Sequence, residues 1–123
     1  MSQRIAIILR IQEDLAREFE ARFAEEELPI WDDYTSQGWF LEASLTRVEG
    51  GSENPDGDMG GGPAGVQDYI LEVVVPDFAA HQRHDDDPRF KAFLAEATRL
   101  HAMKPLVFFG TPVFERKSAI SPK

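Results

Sequence analysis

The sequence predicts an α+β fold in which two helices cover one face of a four-stranded antiparallel sheet, with elements in the order β-α-β-β-α-β. Three observations predict it. Near-continuous apolar runs at residues 5–9, 73–75 and 106–109 read as strands, two other stretches switch to the three- and four-residue spacing of helices, and Gly/Pro clusters punctuate the gaps. A chain of 123 residues is the length of one ordinary domain, able to enclose a single core. We therefore expect one domain over residues 1–118.

Each element has its own signal. Residues 4–11 are rich in isoleucine and bounded by polar side chains, which fits a first strand. From Glu13 onward Leu15, Phe19 and Phe23 recur every four residues with Glu and Arg between them, an amphipathic helix of roughly four turns. Leu28-Pro29-Ile30-Trp31 should end it, and Gln37-Gly38 reads as a turn before a second strand at 39–49. Residues 50–65 hold seven of the nine glycines, two prolines and three acidic residues, a composition that cannot build a core and predicts a flexible loop. A third strand at 66–75 stops at Pro76-Asp77. Helix is expected over 78–83, a break at His84-Asp85-Asp86, and a second helical segment behind an Asp87 cap with Pro88 at its first position. Phe90, Phe93, Leu94, Ala97 and Leu100 should line its buried face, and a fourth strand is expected at 106–115. This order is the split βαβ pattern of a ferredoxin-like plait.

The strands carry a second message. A sheet covered on one side only should alternate apolar and polar residues, yet residues 5–9, 73–75 and 106–109 do not. Such runs are expected where both faces are buried. Two helices cover one face; the same surface of a second copy is the simplest cover for the other, giving a closed two-fold homodimer. The alternative is an apolar face tolerated on a monomer, which is rare at that size.

Composition excludes several partners. With 13 Lys+Arg against 22 Asp+Glu, the net charge of −9 repels phosphate backbones, so nucleic acid is not expected. There is no cysteine, hence neither a disulfide framework nor a thiolate metal site. The N-terminal apolar run is too short for a secretory segment and nowhere do about 20 apolar residues follow one another, so neither membrane insertion nor export is expected and the location is read as cytoplasmic.

Tyr69-Ile70-Leu71-Glu72-Val73, then Ala80-His81, then Pro88-Arg89-Phe90-Lys91-Ala92-Phe93-Leu94 together resemble the dimeric α/β-barrel superfamily, in particular its antibiotic-biosynthesis-monooxygenase branch. The motif part spans about 25 residues and the element order most of the chain. It departs from the family in having Arg89 where a second histidine often precedes the phenylalanine, in a longer acidic linker from Gln82 to Asp87, and in the glycine-rich insertion. The resemblance implies a dimeric α/β barrel with a pocket between sheet and helices. The superfamily uses this pocket for cofactor-independent oxygenation of quinol-like or polycyclic aromatic substrates, for cyclisation or isomerisation of polyketide-like molecules, and for haem breakdown.

Such chemistry requires an apolar chamber, a general base and a donor for the resulting oxyanion. His81 is the expected base, since imidazole ordinarily titrates near neutrality and a helix start beside a strand end is a common pocket rim. The competing reading makes it a histidine that only bonds helix to sheet. Trp31, Tyr34 and Trp39 could form an aromatic wall with Tyr34 as donor, or could simply be core or interface packing. His84 and Arg89 could clamp an anionic group at the mouth, with Glu72 as a further substrate contact, while Arg89 could equally pair with the nearby aspartates. His81, His84 and Asp85 to Asp87 invite a metal reading, but consecutive aspartates point in different directions and one is needed as a cap; no metal is expected. No resident cofactor is expected either: haem-degrading relatives carry an axial histidine inside the second helix, and residues 90–97 contain none. The acids at 53–58 are out of register for an EF-hand. The expected protein is thus a homodimeric, cofactor-free monooxygenase-like enzyme acting on an aromatic, quinol or polyketide-like molecule. A cyclase or isomerase working without oxygen, or a binding protein of the same fold, are the alternatives.

Overall fold

A computed structural model describes residues 2–51 and 64–119. The loop expected at 50–65 lies, from residue 52 to 63, outside the described residues. Four strands, β1 (Gln3–Gln12), β2 (Glu42–Arg47), β3 (Val66–Val75) and β4 (His101–Gly110), form one sheet in the order β2-β3-β1-β4, every neighbouring pair antiparallel. Helices α1 (Ala16–Arg22), α2 (Leu28–Ser36), α3 (Phe78–Asp85) and α4 (Pro88–Ala97) complete the predicted order.

The first helix departs from expectation. Pro29 does not end it: after a 3₁₀ turn at Glu13–Leu15, α1, a π-helical turn at Phe23–Glu27 and α2 follow one another from Ala16 on without leaving helical geometry. Proline has no N–H for the carbonyl four residues back and its ring crowds that carbonyl. The chain widens by one residue just ahead of Pro29, which accommodates the ring and lets the helix continue. Gly38, at φ 75°, then reverses the chain.

Two strands are shifted from their expected bounds. β2 begins at Glu42 rather than at 39, because the N–H groups of Trp39 and Phe40 both bond the Tyr34 carbonyl at the end of α2. β4 runs from His101 to Gly110 rather than over 106–115. Its register on β1 slips between Ile8 and Arg10 and again between Arg10 and Ile11, so that Lys104-Pro105 and then Ala102 are accommodated as bulges. Pro105, which masks the early half of this strand in the sequence, is tolerated because β4 is an edge. Helix α3 also extends two residues past Arg83. As expected, Asp87 caps α4: its carboxylate accepts the Arg89 N–H at 2.8 Å, with Pro88 in the first turn.

Pairing fixes the two faces. Ile5, Ile7, Leu9 and Ile11 of β1 stand opposite Val73, Leu71, Tyr69 and Gln67 of β3, and on the other side Ile5 and Ile7 face Phe109 and Val107 of β4. This inner face meets the helices, where Phe19, Phe23, Ile30, Phe93, Ala97 and Leu100 are buried against it. Leu94, expected in that buried set, is 43 % exposed. The outer face carries Ala6, Ile8, Ile70, Val74, Leu106 and Phe108 with no helix of the described residues over it; Leu106 and Phe108 are among the exposed apolar residues. No helix among the described residues is long and apolar enough to cross a membrane.

Candidate active site

Between the inner face and the helices lies a cavity of about 430 Å³. Its floor is Ile5, Ile7, Leu9, Leu71 and Val73; its roof is Phe19, Phe23 and Trp31 from the first helix and Phe90, Phe93 and Ala97 from α4. The polar side chains in this wall are Glu27, His81, His84, Asp85 and His101. On the β4 side the cover thins, and Val107 and Phe109 are each more than half exposed although they share the inner face. There Phe78, His81 and Phe109 contact one another, with ring centroids 5.5–6.0 Å apart.

The capped start of α3 sets the histidines. Asp77 accepts the Ala80 N–H at 2.9 Å and buries Ala80, which turns His81 and His84 toward the cavity. His81 Nε2 is 3.2 Å from Asp85 Oδ2, one turn on, and its Nδ1 is buried with no partner. If Nε2 carries the proton that Asp85 accepts, Nδ1 keeps a free lone pair. His84 is clamped by rings: its centroid lies 4.2 Å from Phe90, 5.3 Å from Phe40 and 5.7 Å from Tyr34. Its Nε2 meets Glu27 Oε2 at 2.8 Å. The same Glu27 is 2 % exposed, and its Oε1 has no partner. His101, at the start of β4, has its imidazole pKa lowered by burial.

The residues expected from sequence divide accordingly. His81, His84 and Trp31 come together on the chamber wall. Tyr34 and Trp39 do not line it: Tyr34 packs edge-on against Trp39 and Phe40, and its O–H donates to Asp87 Oδ2 at 2.9 Å, with the Arg83 carbonyl at 3.1 Å. Trp39 is stacked under the Arg83 guanidinium, 4.1 Å from the ring centre. Arg89 is held by Asp33 at 3.1 Å and Asp87 at 2.9 Å, outside the cavity, so the clamp expected of His84 and Arg89 is split between the interior and the surface. Glu72 stands opposite Ala6 and Ser44 on the outer face, exposed and turned away from the chamber. A strand alternates its side chains, so Leu71 and Val73 inside require Glu72 outside. Among the described residues no group of three or more His, Asp or Glu side chains is placed to hold a metal ion.

Glu27 lines the chamber without having been expected from the sequence, although a signal existed. Leu15, Phe19, Phe23 and Trp31 fall on a strict four-residue stripe, and position 27 of that stripe is a glutamate. A period of four drifts by about 40° per step on a 3.6-residue helix. The π turn at Phe23–Glu27 takes up part of this drift and keeps Glu27 facing inward.

No family model matches the chain, and no curated protein matches it. Solved structures do. A candidate antibiotic biosynthesis monooxygenase from Caulobacter crescentus superposes with a TM-score of 0.66 at 22% identity, covering 92% of this chain and 91% of that one. SnoaB, a cofactor-independent oxygenase from Streptomyces nogalater, superposes with a TM-score of 0.63 at 18% identity over 93% and 95%. A hydroxynitrile lyase from Passiflora edulis gives 0.64 at 14% identity over 93% and 97%. These likenesses establish the ferredoxin-like fold, shared with proteins of the monooxygenase-like branch.

Proposed function

We propose that this chain is a cytoplasmic, homodimeric enzyme that oxidises an aromatic, quinol or polyketide-like molecule in the chamber, without a bound cofactor, using His81 as general base. One observation carries the reading. His81 has one ring nitrogen held by Asp85 and the other buried and unpartnered at the wall of an apolar cavity. A carboxylate that accepts from one nitrogen fixes the tautomer and stabilises the imidazolium that forms when the other takes a proton. The outward-facing Ala6, Ile8, Ile70, Val74, Leu106 and Phe108 support the dimer, since they form an apolar surface that no helix among the described residues covers. The oxygenase and the monooxygenase-like protein among the structural neighbours support the reaction class.

For an anthrone the step balances as follows. Nδ1 of His81 removes a proton from the activated CH₂, the carbanion passes its electron density to dioxygen, the second substrate, and the resulting hydroperoxide loses water to give the ketone. Overall R₂CH₂ and O₂ become R₂C=O and H₂O. The apolar floor and roof keep bulk water from the carbanion. A second reading keeps the proton transfer and omits oxygen, as in a cyclase or isomerase; the lyase among the neighbours favours it. Oxygen uptake and product formation with anthrone test the assignment, in air and under argon. His81→Ala should lower the aerobic rate about 10²- to 10⁴-fold. Unchanged rates remove His81 from the mechanism, turnover under argon selects the second reading, and ligand binding without turnover in either gas leaves a binding protein.

A further inference from the structure

We infer that the Glu27–His84 pair anchors a ligand hydroxyl, so that the chamber takes aromatic molecules bearing a free O–H in preference to their ethers. The inference rests on the reading of the chamber as an aromatic-binding site, and needs no turnover. Glu27 projects from the π turn into a wall built mainly from rings and aliphatic side chains, and it is 2 % exposed. One of its oxygens is occupied by His84 Nε2 at 2.8 Å; the other, Oε1, is buried without a partner. Whichever atom holds the shared proton between Oε2 and Nε2, Oε1 keeps acceptor lone pairs.

The pair cannot swing away to satisfy itself. His84 is wedged among Phe90, Phe40 and Tyr34, and its Nδ1 lies 3.8 Å from Asp85 Oδ1, beyond hydrogen-bond reach. Glu27 follows the buried Phe23, whose ring packs edge-on against Trp31 and Phe93. An acceptor fixed in an apolar wall takes its donor from whatever enters. A hydroxyl on the ring system supplies one, whereas a methyl ether leaves Oε1 unpaired and adds a carbon where the hydrogen should be. Sites built around a buried polar group discriminate most strongly against the analogue that leaves that group unsatisfied.

Isothermal titration under nitrogen with 2-naphthol and 2-methoxynaphthalene tests this on the full-length protein, because the two probes differ only in O–H against O–CH₃. Wild type should bind the naphthol at least about tenfold more tightly, some 1.4 kcal/mol. In Glu27→Leu the preference should fall below about threefold with affinity for the ether retained or improved. Removing one member of a buried pair can prevent folding, so Glu27→Leu/His84→Phe, which removes both, is measured beside it with the same expectation. Equal binding of both probes by wild type, or a preference that survives in either variant, overturns the anchor and leaves the aromatic chamber standing. If neither probe binds wild type, the chamber reading fails and the anchor with it.

Discussion

Tyr34 shows how residue type and residue role part company. A tyrosine near a histidine in a small ferredoxin-like fold invites a catalytic assignment, yet the structure gives its hydroxyl to Asp87 and the Arg83 carbonyl. Burial first, and then the bond to Asp87, push the phenol up to about 12, so it remains protonated through the physiological range. A tyrosine so placed joins α2 to the α3–α4 junction. Tyr34→Phe should therefore leave turnover within about threefold while lowering stability by about 1 kcal/mol at pH 7 in chemical denaturation. The raised value means the phenol's contribution is complete below its ordinary pKa near 10 and is lost as pH climbs toward 12. The gap between wild type and variant should narrow over that interval, and a variant that loses turnover outright would return Tyr34 to the mechanism. Of the residues picked out by type, His81, His84 and Trp31 line the chamber. Residue types could not separate ring packing from lining, since Tyr34 and Trp39 satisfy the same pattern.

At the scale of elements, Asp87 does the most with one side chain. It caps α4 through the Arg89 N–H, pairs with the Arg89 guanidinium and accepts the Tyr34 hydroxyl. The Arg89 side chain above all, with the Arg89 and Tyr34 hydrogen bonds adding, holds the carboxyl well below the usual carboxylate range against the opposing effect of burial. A depressed folded pKa contributes stability above the ordinary value near 4, and that contribution disappears as pH falls further through the folded value. Asp87→Ala should cost about 1–3 kcal/mol at neutral pH, cap and buried partner together, and the cost should shrink in urea titrations taken from pH 5 toward pH 2. A cost that does not change with pH would mean the carboxylate charge is irrelevant to α4. This cap was legible in Asp87-Pro88, as was β3, because local chemistry alone sets both. The continuation of the first helix past Pro29 and the early start of β4 were not legible. The edge-strand bulges that tolerate Pro105 depend on pairing with β1, distant in sequence.

For the whole molecule the decisive feature is the outer face of the sheet. Continuous apolar runs in the sequence implied cover on both sides, and the helices of the described residues lie on one side alone, leaving Leu106 48% and Phe108 58% exposed beside Ile8, Ile70 and Val74. Glu72 stands in the middle strands of this surface, where an apolar partner could not satisfy it and a second copy, offering the polar side chains of its own β2, could. Ser44 and Thr46 of β2 lie on the same face. A two-fold contact through this face would leave each chamber intact on the other side of the sheet, and catalysis and assembly would then be separable by substitution. Phe108→Glu puts a charge into the proposed interface at a side chain the monomer does not bury, so the folded subunit should tolerate it. Sedimentation equilibrium at micromolar concentration should give twice the chain mass for wild type and the single chain mass for Phe108→Glu, with naphthol affinity changed by less than about threefold. A wild type that sediments as a single chain would show that this apolar face is left to solvent, and the dimer would be abandoned while the chamber, built wholly from one subunit, would still stand or fall on the ligand measurements.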